Sequence, residues 1–494
     1  MRLLSLHGKS RSGLILGVLL LFGFPAGVWA DSLATIQSKV AQYLRRPGIR
    51  SADWGIEIVD SSSNKALISV NPNKPFKPAS VLKVVTTAAA LEKLGPDYKF
   101  HTGLYTDGTL QPDGNLVGNL ILVGRGDPDL MDTSGEGLEK PVFEELAEKL
   151  QVLGIKKVAG DVVGDDSYFD FSSHGRGWTA ADFKSFYGAP INAFCVNNNI
   201  LWVHARPTKQ GQLVAASVEP RNSYFRIRNL ATTGSIRAKK TIYARLIPGT
   251  RTVVVSGILP INQGFTHYVL IDKPAEVAAS LLKDELRRLD IQVSGTIQAL
   301  HDGDLPGEAR RQWKLLADHE SPPLIRALEI INKQSQNLHA EMLLRTLGAE
   351  LRDTGSDEEG LQVVREFLIE AGIESQKISL SDGCGLSRDN VITPHFQTSL
   401  LLFLSTRPYF DLFLNTLAVS GTDGTLKRRL VAHPVRGVIH AKTGSLHGVS
   451  TLAGYMTTKS GRNLAFSIFA NNAYAMVRVK RTIDEICTLF VNLY

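Results

Sequence analysis

A serine and a lysine that could act as a nucleophile and its base lie three residues apart, at Ser80 and Lys83. Pro78 precedes them, an alanine-rich apolar run follows, and Gly95-Pro96 supplies a stop signal, so the stretch predicts a helix beginning near this serine. The spacing puts both side chains on one helix face. Burial would disfavour the charged amine, and a neutral lysine could accept the serine proton. The pair therefore predicts serine–lysine nucleophilic catalysis.

The same S-x-x-K spacing occurs twice more, at residues 62–65 and 280–283. Ser62 lies in a polar turn with no helix after it. Ser280 lies in the middle of an amphipathic stretch, away from the helix N-terminus whose dipole and free amides favour an anion. Helix position therefore favours Ser80 as the nucleophile.

A second group that could handle a proton is Ser335-Gln336-Asn337. The Ser335 hydroxyl could return a proton to a leaving amine, while the Asn337 amide could anchor Lys83 and bind a substrate amide. The alternative interpretation of Ser335 is a helix N-cap, which is compatible with a catalytic role.

A third group, Lys442-Thr443-Gly444-Ser445, follows a predicted strand. Lys442 offers a fixed cation and Thr443 a hydroxyl, and both suit a substrate carboxylate. Gly444 would let a substrate lie close to the backbone. The similar K-S-G at residues 459–461 falls between two apolar strands and indicates a hairpin turn.

The N-terminal 30 residues have the pattern of a secretory signal peptide. Arg2, Lys9 and Arg11 precede an apolar run over residues 13–24, and a small residue, Ala30, ends the segment. An uncleaved membrane anchor is the alternative. Loss of the three cations would lower the formal net charge from +7 to +4. The remaining basic residues are dispersed, so a nucleic-acid partner is not predicted.

Three cysteines, Cys195, Cys384 and Cys487, allow at most one disulfide within the chain, and none forms a C-x-x-C pair. The sequence contains no H-E-x-x-H, Walker A or G-x-S-x-G motif. These absences leave a hydrolase without metal or cofactor, or a binding protein.

At 494 residues the chain predicts two or three domains. Helices are predicted at 33–44, 78–94, 142–153, 275–289, 324–332, 337–351, 360–371, 394–405 and 477–493. Strands are predicted at 54–60, 66–70, 101–105, 115–123, 211–218, 224–228, 252–259, 438–442, 450–457 and 464–471. The pattern predicts one α/β domain interrupted by β-rich insertions. The last helix packs on a sheet or, alternatively, lies on a membrane surface.

S-x-x-K, S-x-N and K-T-G in this order resemble the motifs of penicillin-binding proteins and serine β-lactamases. Supporting stretches lie at residues 78–91, 118–130, 187–190, 381–388 and 421–426. Together they resemble the D-alanyl-D-alanine carboxypeptidase/endopeptidase family, the class C low-molecular-mass penicillin-binding proteins. The 251 residues between Lys83 and Ser335 far exceed what a compact β-lactamase places there. Cys384 departs from the serine more usual in its loop.

The resemblance implies an α/β transpeptidase-like domain split by two inserted β-rich domains, the third nested in the second. The implied divisions are a signal peptide (1–30), the first catalytic part (31–102), domain II (103–180 and 288–311), domain III (181–287) and the second catalytic part (312–494).

The resemblance also implies an exported, bacterial periplasmic or cell-surface serine D,D-peptidase that acts on peptidoglycan stem peptides and is inhibited by β-lactams. Ser80 would form the acyl-enzyme, and backbone amides of Ser80 and Ser445 would form the oxyanion hole. An acidic residue from the second domain would meet the third residue of the peptide, with Asp165 the best match and Asp166 a competitor. The alternative functions are a β-lactamase-like hydrolase and a non-catalytic wall-binding or β-lactam-sensing protein.

Overall fold

The structure, a computed structural model, describes residues 26–130, 140–305 and 307–493. Its helices are α1 (Ala26–Leu44), α2 (Lys83–Leu94), α3 (Val142–Val152), α4 (Pro274–Arg288), α5 (Gly307–Arg310), α6 (Leu324–Glu329), α7 (Asn337–Arg352), α8 (Asp357–Glu370), α9 (Pro394–Ser405), α10 (Phe410–Thr416) and α11 (Met476–Leu493). Most of the predicted signal peptide lies outside the described residues, and α1 crosses the predicted cut after residue 30.

The strands alternate with these helices near the two ends of the chain and dominate its middle. They are β1 (Asp53–Asp60), β2 (Lys65–Val70), β3 (His101–Thr106), β4 (Thr109–Leu110), β5 (Asn115–Val117), β6 (Leu120–Val123), β7 (Lys157–Val158), β8 (Val162–Asp165), β9 (Ile200–Arg206), β10 (Ala215–Glu219), β11 (Arg226–Gly234), β12 (Tyr243–Leu246), β13 (Thr252–Pro260), β14 (Phe265–Leu270), β15 (Gln292–Val293), β16 (Ile297–Leu300), β17 (Lys314–Glu320), β18 (Ala418–Val419), β19 (Ile439–Leu446), β20 (Val449–Thr457) and β21 (Asn463–Asn471).

A six-stranded antiparallel sheet joins the two ends of the chain in the order β18-β19-β20-β21-β1-β2. Successive side chains of a strand point to opposite faces. Ala465 and Phe469 of β21 pack in the core that contains α2, α7, α8 and α9. Phe466 and Ile468 pack in the core formed with α1 and α11. Both faces are therefore covered by helices, which explains why these strands are apolar throughout.

The closing helix α11 buries its apolar side against this sheet. Val479, Ile483, Ile486 and Phe490 are fully buried in the same core as α1. The apolar face of α11, which could have lain on a membrane surface, is thus buried within the protein. Across the described ranges, none of the helices combines the length and apolarity needed to cross a bilayer.

The middle of the chain forms four smaller sheets, ordered β16-β8-β6-β3-β17, β15-β7-β5-β4, β10-β9-β14 and β11-β13-β12. Together with α3 and α4 they share a second hydrophobic core. This β-rich region lies, in sequence, between the two parts of the six-stranded sheet. The division into two inserted domains stays a prediction.

Several predicted elements have different ends in the structure. The strand predicted over 115–123 is two strands, β5 and β6, separated at Gly118, whose φ of +145° bends the chain. The helix predicted over 324–332 stops at Glu329 and continues as a π turn, Ile330–Gln334. The predicted helix over 78–94 starts as a 3₁₀ turn, Ala79–Leu82, before α2.

Candidate active site

Ser80 lies in the 3₁₀ turn that leads into α2, at the position where sequence reasoning expected a helix start. Ala79, directly before it, is fully buried with a φ of +50°. This left-handed conformation costs a non-glycine residue about 1 kcal/mol and is typical of functional sites. Gly385 packs on it so closely that a Cβ there would lie 2.0 Å from the Ala79 carbonyl oxygen. The turn is thus held in place from outside the helix.

Lys83 is fully buried, and its amine contacts three oxygens. Nζ lies 3.1 Å from Ser80 Oγ, 2.7 Å from Asn337 Oδ1 and 2.7 Å from the Cys384 carbonyl oxygen. Burial lowers the pKa of Lys83, against the opposing effect of nearby acidic groups. A neutral amine has two N–H groups and one lone pair. Because the two carbonyl oxygens take both hydrogens, the lone pair remains for the hydroxyl of Ser80.

Ser335 follows the π turn with a left-handed φ of +63°. The N-cap of α7 is Gln336, and no side chain caps that helix, so the interpretation of Ser335 as an N-cap is wrong. The hydroxyl is free of that role and instead accepts a hydrogen bond from Lys442 Nζ at 2.8 Å. Asn337, two residues on, begins α7 and reaches Lys83.

Lys442 lies on β19 with its side chain fully buried. Nζ donates to Ser335 Oγ and, at 2.9 Å, to the Thr443 carbonyl oxygen. Within the described residues its hydrogen bonds go to this hydroxyl and this carbonyl oxygen, and no carboxylate pairs with it. Burial, and next the charge of Lys83, lower its pKa well below the usual value. The expected fixed cation therefore lies where its charge is disfavoured until an anion arrives.

Gly444 brings β19 against the turn that carries the nucleophile. A Cβ at this position would lie 2.1 Å from Thr451 Oγ1, 2.7 Å from the Pro78 carbonyl oxygen and 3.0 Å from the Ser80 amide nitrogen. Only glycine permits this approach. Ser445, next on the strand, is exposed. Thr443 Oγ1 donates to Thr425 Oγ1 at 2.8 Å. Strand and turn thus place the third motif beside the first.

A fully buried carboxylate, Glu341, supports the site from behind and was missed by sequence reasoning. It accepts the backbone N–H groups of Gly383 and, at 2.7 Å, Cys384, the residue whose carbonyl oxygen binds Lys83. Burial raises the pKa of Glu341 to about 8. Its position four residues after Asn337 puts it on the same helix face, which is the signal that could have found it.

The ligand atoms of Glu341, Asp382 and Cys384 lie within 4.8 Å of one another. The carboxylates already accept backbone N–H groups: Glu341 those of residues 383 and 384, and Asp382 those of Gly385 and Ser387. These hydrogen bonds fix the loop over residues 382–387 and account for the cluster without a metal ion.

Asp165 is not brought to this group. It lies on β8, an internal strand of the five-stranded sheet, and is fully buried. Its carboxylate accepts Arg310 Nε at 3.1 Å and the Ser167 amide at 3.0 Å. Asp166 is likewise buried, bonded to His301 and Asn192. Both acids therefore make their contacts within the middle region of the chain.

A different acid reaches the edge of the site. Asp182 forms a salt bridge with Arg388, 2.6 Å from Nη1, at the end of the loop that carries Cys384. Five residues after Asp182, the carbonyl oxygen of Tyr187 accepts Asn337 Nδ2 at 2.8 Å. The segment from 182 to 187 thus lies against Asn337, the residue that contacts Lys83. The irregular, aromatic-rich sequence of this segment is the feature that could have indicated its place beside the site.

The chain is similar to known proteins over most of its length. The model of the D-Ala-D-Ala carboxypeptidase 3 (S13) family matches residues 36–490. A D-alanyl-D-alanine carboxypeptidase of Actinomadura sp. (strain R39) is 32% identical over 451 residues, 89% of this chain and 81% of that protein. D-alanyl-D-alanine carboxypeptidase DacB of Haemophilus influenzae is 31% identical over 418 residues, 83% of each chain.

Solved structures give the same result for the fold. The crystal structure of penicillin-binding protein 4 (dacB) from H. influenzae matches with a TM-score of 0.76 and 28% identity, over 91% of this chain and 98% of that one. A structure of the same protein complexed with a novel β-lactam matches with a TM-score of 0.72 and 26% identity, over 92% and 99% of the two chains. The predicted α/β penicillin-binding fold and enzyme class, a serine-type D-Ala-D-Ala carboxypeptidase, are confirmed. This chain belongs to the D-Ala-D-Ala carboxypeptidase 3 (S13) family.

Proposed function

We propose that this protein is an exported serine D-Ala-D-Ala carboxypeptidase/endopeptidase that cleaves peptidoglycan stem peptides through an acyl-enzyme on Ser80. The observation that carries the proposal is the buried amine of Lys83, 3.1 Å from Ser80 Oγ with its other contacts made to two carbonyl oxygens. The signal-like pattern of residues 1–30 supports export.

Acylation begins when Lys83 Nζ accepts the proton of Ser80 and Oγ attacks the carbonyl carbon of the penultimate D-alanine. The negative charge on the carbonyl oxygen is stabilised by the backbone N–H groups of Ser80 and Ser445. The close approach of β19 at Gly444 supports this arrangement, since it brings the two stretches of backbone together.

Collapse of the tetrahedral intermediate breaks the peptide bond, and the leaving amine takes a proton from Ser335. Ser335 thereby relays the proton that Lys83 took from Ser80, so Lys83 returns to its neutral form. Lys442 donates a hydrogen bond to Ser335 Oγ and keeps its own proton. Lys442 and Thr443 hold the terminal carboxylate, whose charge raises the pKa of Lys442 and restores its positive form. Substrate binding thus supplies the anion that pairs with the buried Lys442.

Water completes the cycle by attacking the ester carbon of the acyl-enzyme. Lys83 Nζ takes a proton from this water and passes it to Ser80 Oγ, and the peptide leaves as a carboxylic acid. When the leaving amine is D-alanine the activity is that of a carboxypeptidase, and when it belongs to a cross-linking side chain, that of an endopeptidase. A β-lactam would also form an ester with Ser80, and this ester would block the enzyme.

For the third residue of the stem peptide, we propose that Asp182 with Arg388 replaces the predicted Asp165. The Asp182–Arg388 pair presents one charge of each sign beside the residue 187 backbone that contacts Asn337. Such a pair suits a side chain that itself carries both an amine and a carboxylate. Both acids are buried, Asp165 against Arg310 and Asp182 against Arg388. Only Asp182 belongs to the segment that contacts Asn337, and its partner Arg388 is partly exposed at the end of the loop that carries Cys384.

The function is tested by incubating the purified chain with a synthetic stem pentapeptide and, separately, with a cross-linked dimer, and measuring D-alanine and monomer by mass spectrometry. Release of D-alanine or of monomer is expected, and both should stop after β-lactam treatment.

Asp165→Asn is the control for Asp182→Asn, and only the latter should raise KM. Rapid nitrocefin turnover with no release from either peptide would establish the β-lactamase-like alternative instead.

A further inference from the structure

Four aromatic side chains form a continuous surface row that leaves the active site. The row consists of Tyr187, Phe186, Tyr268 and Trp202, with successive ring centroids 5.5, 6.0 and 6.2 Å apart. Each pair is arranged edge to face. Phe186 is 55% exposed and Trp202 38% exposed. Large apolar rings in a contiguous, solvent-facing row mark an interaction site rather than a core.

The row starts at the catalytic group. The Tyr187 carbonyl oxygen accepts Asn337 Nδ2, so the first ring is anchored beside the residue that holds Lys83. Two further residues at the start of α7, Gln336 and His339, hold Asn198, just before β9, through its side-chain oxygen. The sheet that carries the row is therefore fixed to the cleft at its base.

The far half of the row belongs to one face of the β10-β9-β14 sheet. Trp202 on β9 lies directly opposite Tyr268 on β14. Two residues further along β9, His204 lies opposite Thr266 and bonds to it at 3.1 Å. A groove of about 670 Å³ continues there, lined by hydroxyl, imidazole and guanidinium groups, among them Ser217.

This combination of groups selects a ligand with apolar faces and many hydroxyls. The groove carries a mixed charge, Arg206 and Arg221 against Glu219, which pairs with His204. A polyanion would need a predominantly basic surface. A pyranose ring has an apolar C–H face that packs on an aromatic ring, with hydroxyl groups at its edge for polar partners.

We propose that the aromatic row binds a neutral glycan, specifically the β-1,4-linked amino-sugar strand that carries the stem peptides. The inference rests on the proposed function, because the row continues from the cleft in which the attached peptide would be cleaved. Glycan binding beside the cleft raises the local concentration of stem peptides and favours polymeric wall over free peptide.

The test uses the whole purified chain and chitotetraose, a soluble β-1,4-linked tetrasaccharide without peptide, in isothermal titration calorimetry. Trp202→Ala should weaken binding about tenfold, and Trp202→Phe, which keeps a ring, should retain most of it. Phe171→Ala removes another exposed ring, 76% exposed and outside the row, and should bind as the wild type does.

A second readout separates glycan binding from catalysis. Trp202→Ala should release D-alanine from free pentapeptide and be acylated by penicillin at wild-type rates, but should release less from intact sacculi. If the wild type does not bind the tetrasaccharide, the proposal is wrong. It is also wrong if Trp202→Ala lowers the rate of D-alanine release from free pentapeptide as much as it lowers the rate from sacculi. Tetrasaccharide binding that requires Trp202 in a chain without peptidase activity would overturn the proposed function and keep this inference.

Discussion

The chain contains two S-x-x-K sequences on helices, and only one of them brings a serine and a lysine together. Lys83 Nζ lies 3.1 Å from Ser80 Oγ. In α4 the fully buried Ser280 instead has its Oγ 3.4 Å from that of Ser223, and Lys283 donates to the Gly295 carbonyl oxygen at 2.6 Å. Equal spacing on a helix face therefore does not produce equal chemistry.

The difference comes from residues distant in the sequence. The side-chain oxygen of Asn337 and the carbonyl oxygen of Cys384 accept hydrogen bonds from the Lys83 amine, and these bonds hold the amine beside Ser80. No such pair of acceptors turns Lys283 toward Ser280 among the described contacts, where its amine reaches Gly295. Helix geometry brings the side chains to one face, and tertiary acceptors decide where the amine points.

The largest effect is expected for loss of the amine itself. Lys83→Met keeps the length of the side chain but removes the base, and should slow acylation by a β-lactam on the order of 10³-fold or more. Lys283→Met removes a hydrogen bond to backbone and should lower the free energy of unfolding by about 1 kcal/mol with no loss of acylation rate. Stopped-flow kinetics measure the acylation rate of each variant, and thermal unfolding measures its stability. Equal acylation by the two variants would refute the contrast.

A smaller effect is expected at the two K-[ST]-G sequences. Gly444→Ala puts a methyl group 2.1 Å from Thr451 Oγ1 and 3.0 Å from the Ser80 amide, so it should displace β19 and lower kcat/KM about 100-fold. At Gly461 a Cβ meets nothing within 4 Å, but φ is +80°. Gly461→Ala should therefore cost about 1 kcal/mol of stability through its turn and leave kcat/KM unchanged. Steady-state kinetics of both variants distinguish the motif from its copy.

The smallest effect is a shift in pH dependence. Acylation needs neutral Lys83, so its rate falls as the pH drops through the lowered pKa of that amine. The ionised form of Glu341 raises the pKa of Lys83, but burial raises the pKa of Glu341 itself to about 8, so the carboxylate carries only part of its charge below that pH. Glu341→Gln should therefore move the acidic limb of the acylation profile only slightly to lower pH, by less than about one unit. Exposed Glu358→Gln is the control. A limb that moves to higher pH in Glu341→Gln would contradict the role of this carboxylate.

The contacts that sequence reasoning predicted are those between motif residues. Helix position picked out Ser80, and the anchoring of Lys83 by Asn337 is present. The fold class and the helices with strong periodicity could also be predicted, because apolar spacing reports which face is buried. Roles assigned to Lys442 and Ser335 in catalysis stay predictions, supported by their mutual hydrogen bond.

What could not be predicted depends on contacts with no local pattern. Asp165 resembles a surface turn residue, and only the pairing of β8 with β6 and β16 shows that it is enclosed. Glu341 binds backbone N–H groups, which carry no side-chain signature. The left-handed conformation of Ser335 follows from the π turn before it, and no glycine marks it. Each of these requires the folded neighbours.

We propose that Ser80, and no other serine, forms the acyl-enzyme. The most direct measurement is to label the purified chain with fluorescent penicillin, digest it and locate the adduct by mass spectrometry. We expect one adduct, on the peptide that contains Ser80, and none in Ser80→Ala. An adduct on the Ser280 peptide, or labelling that persists in Ser80→Ala, would contradict it.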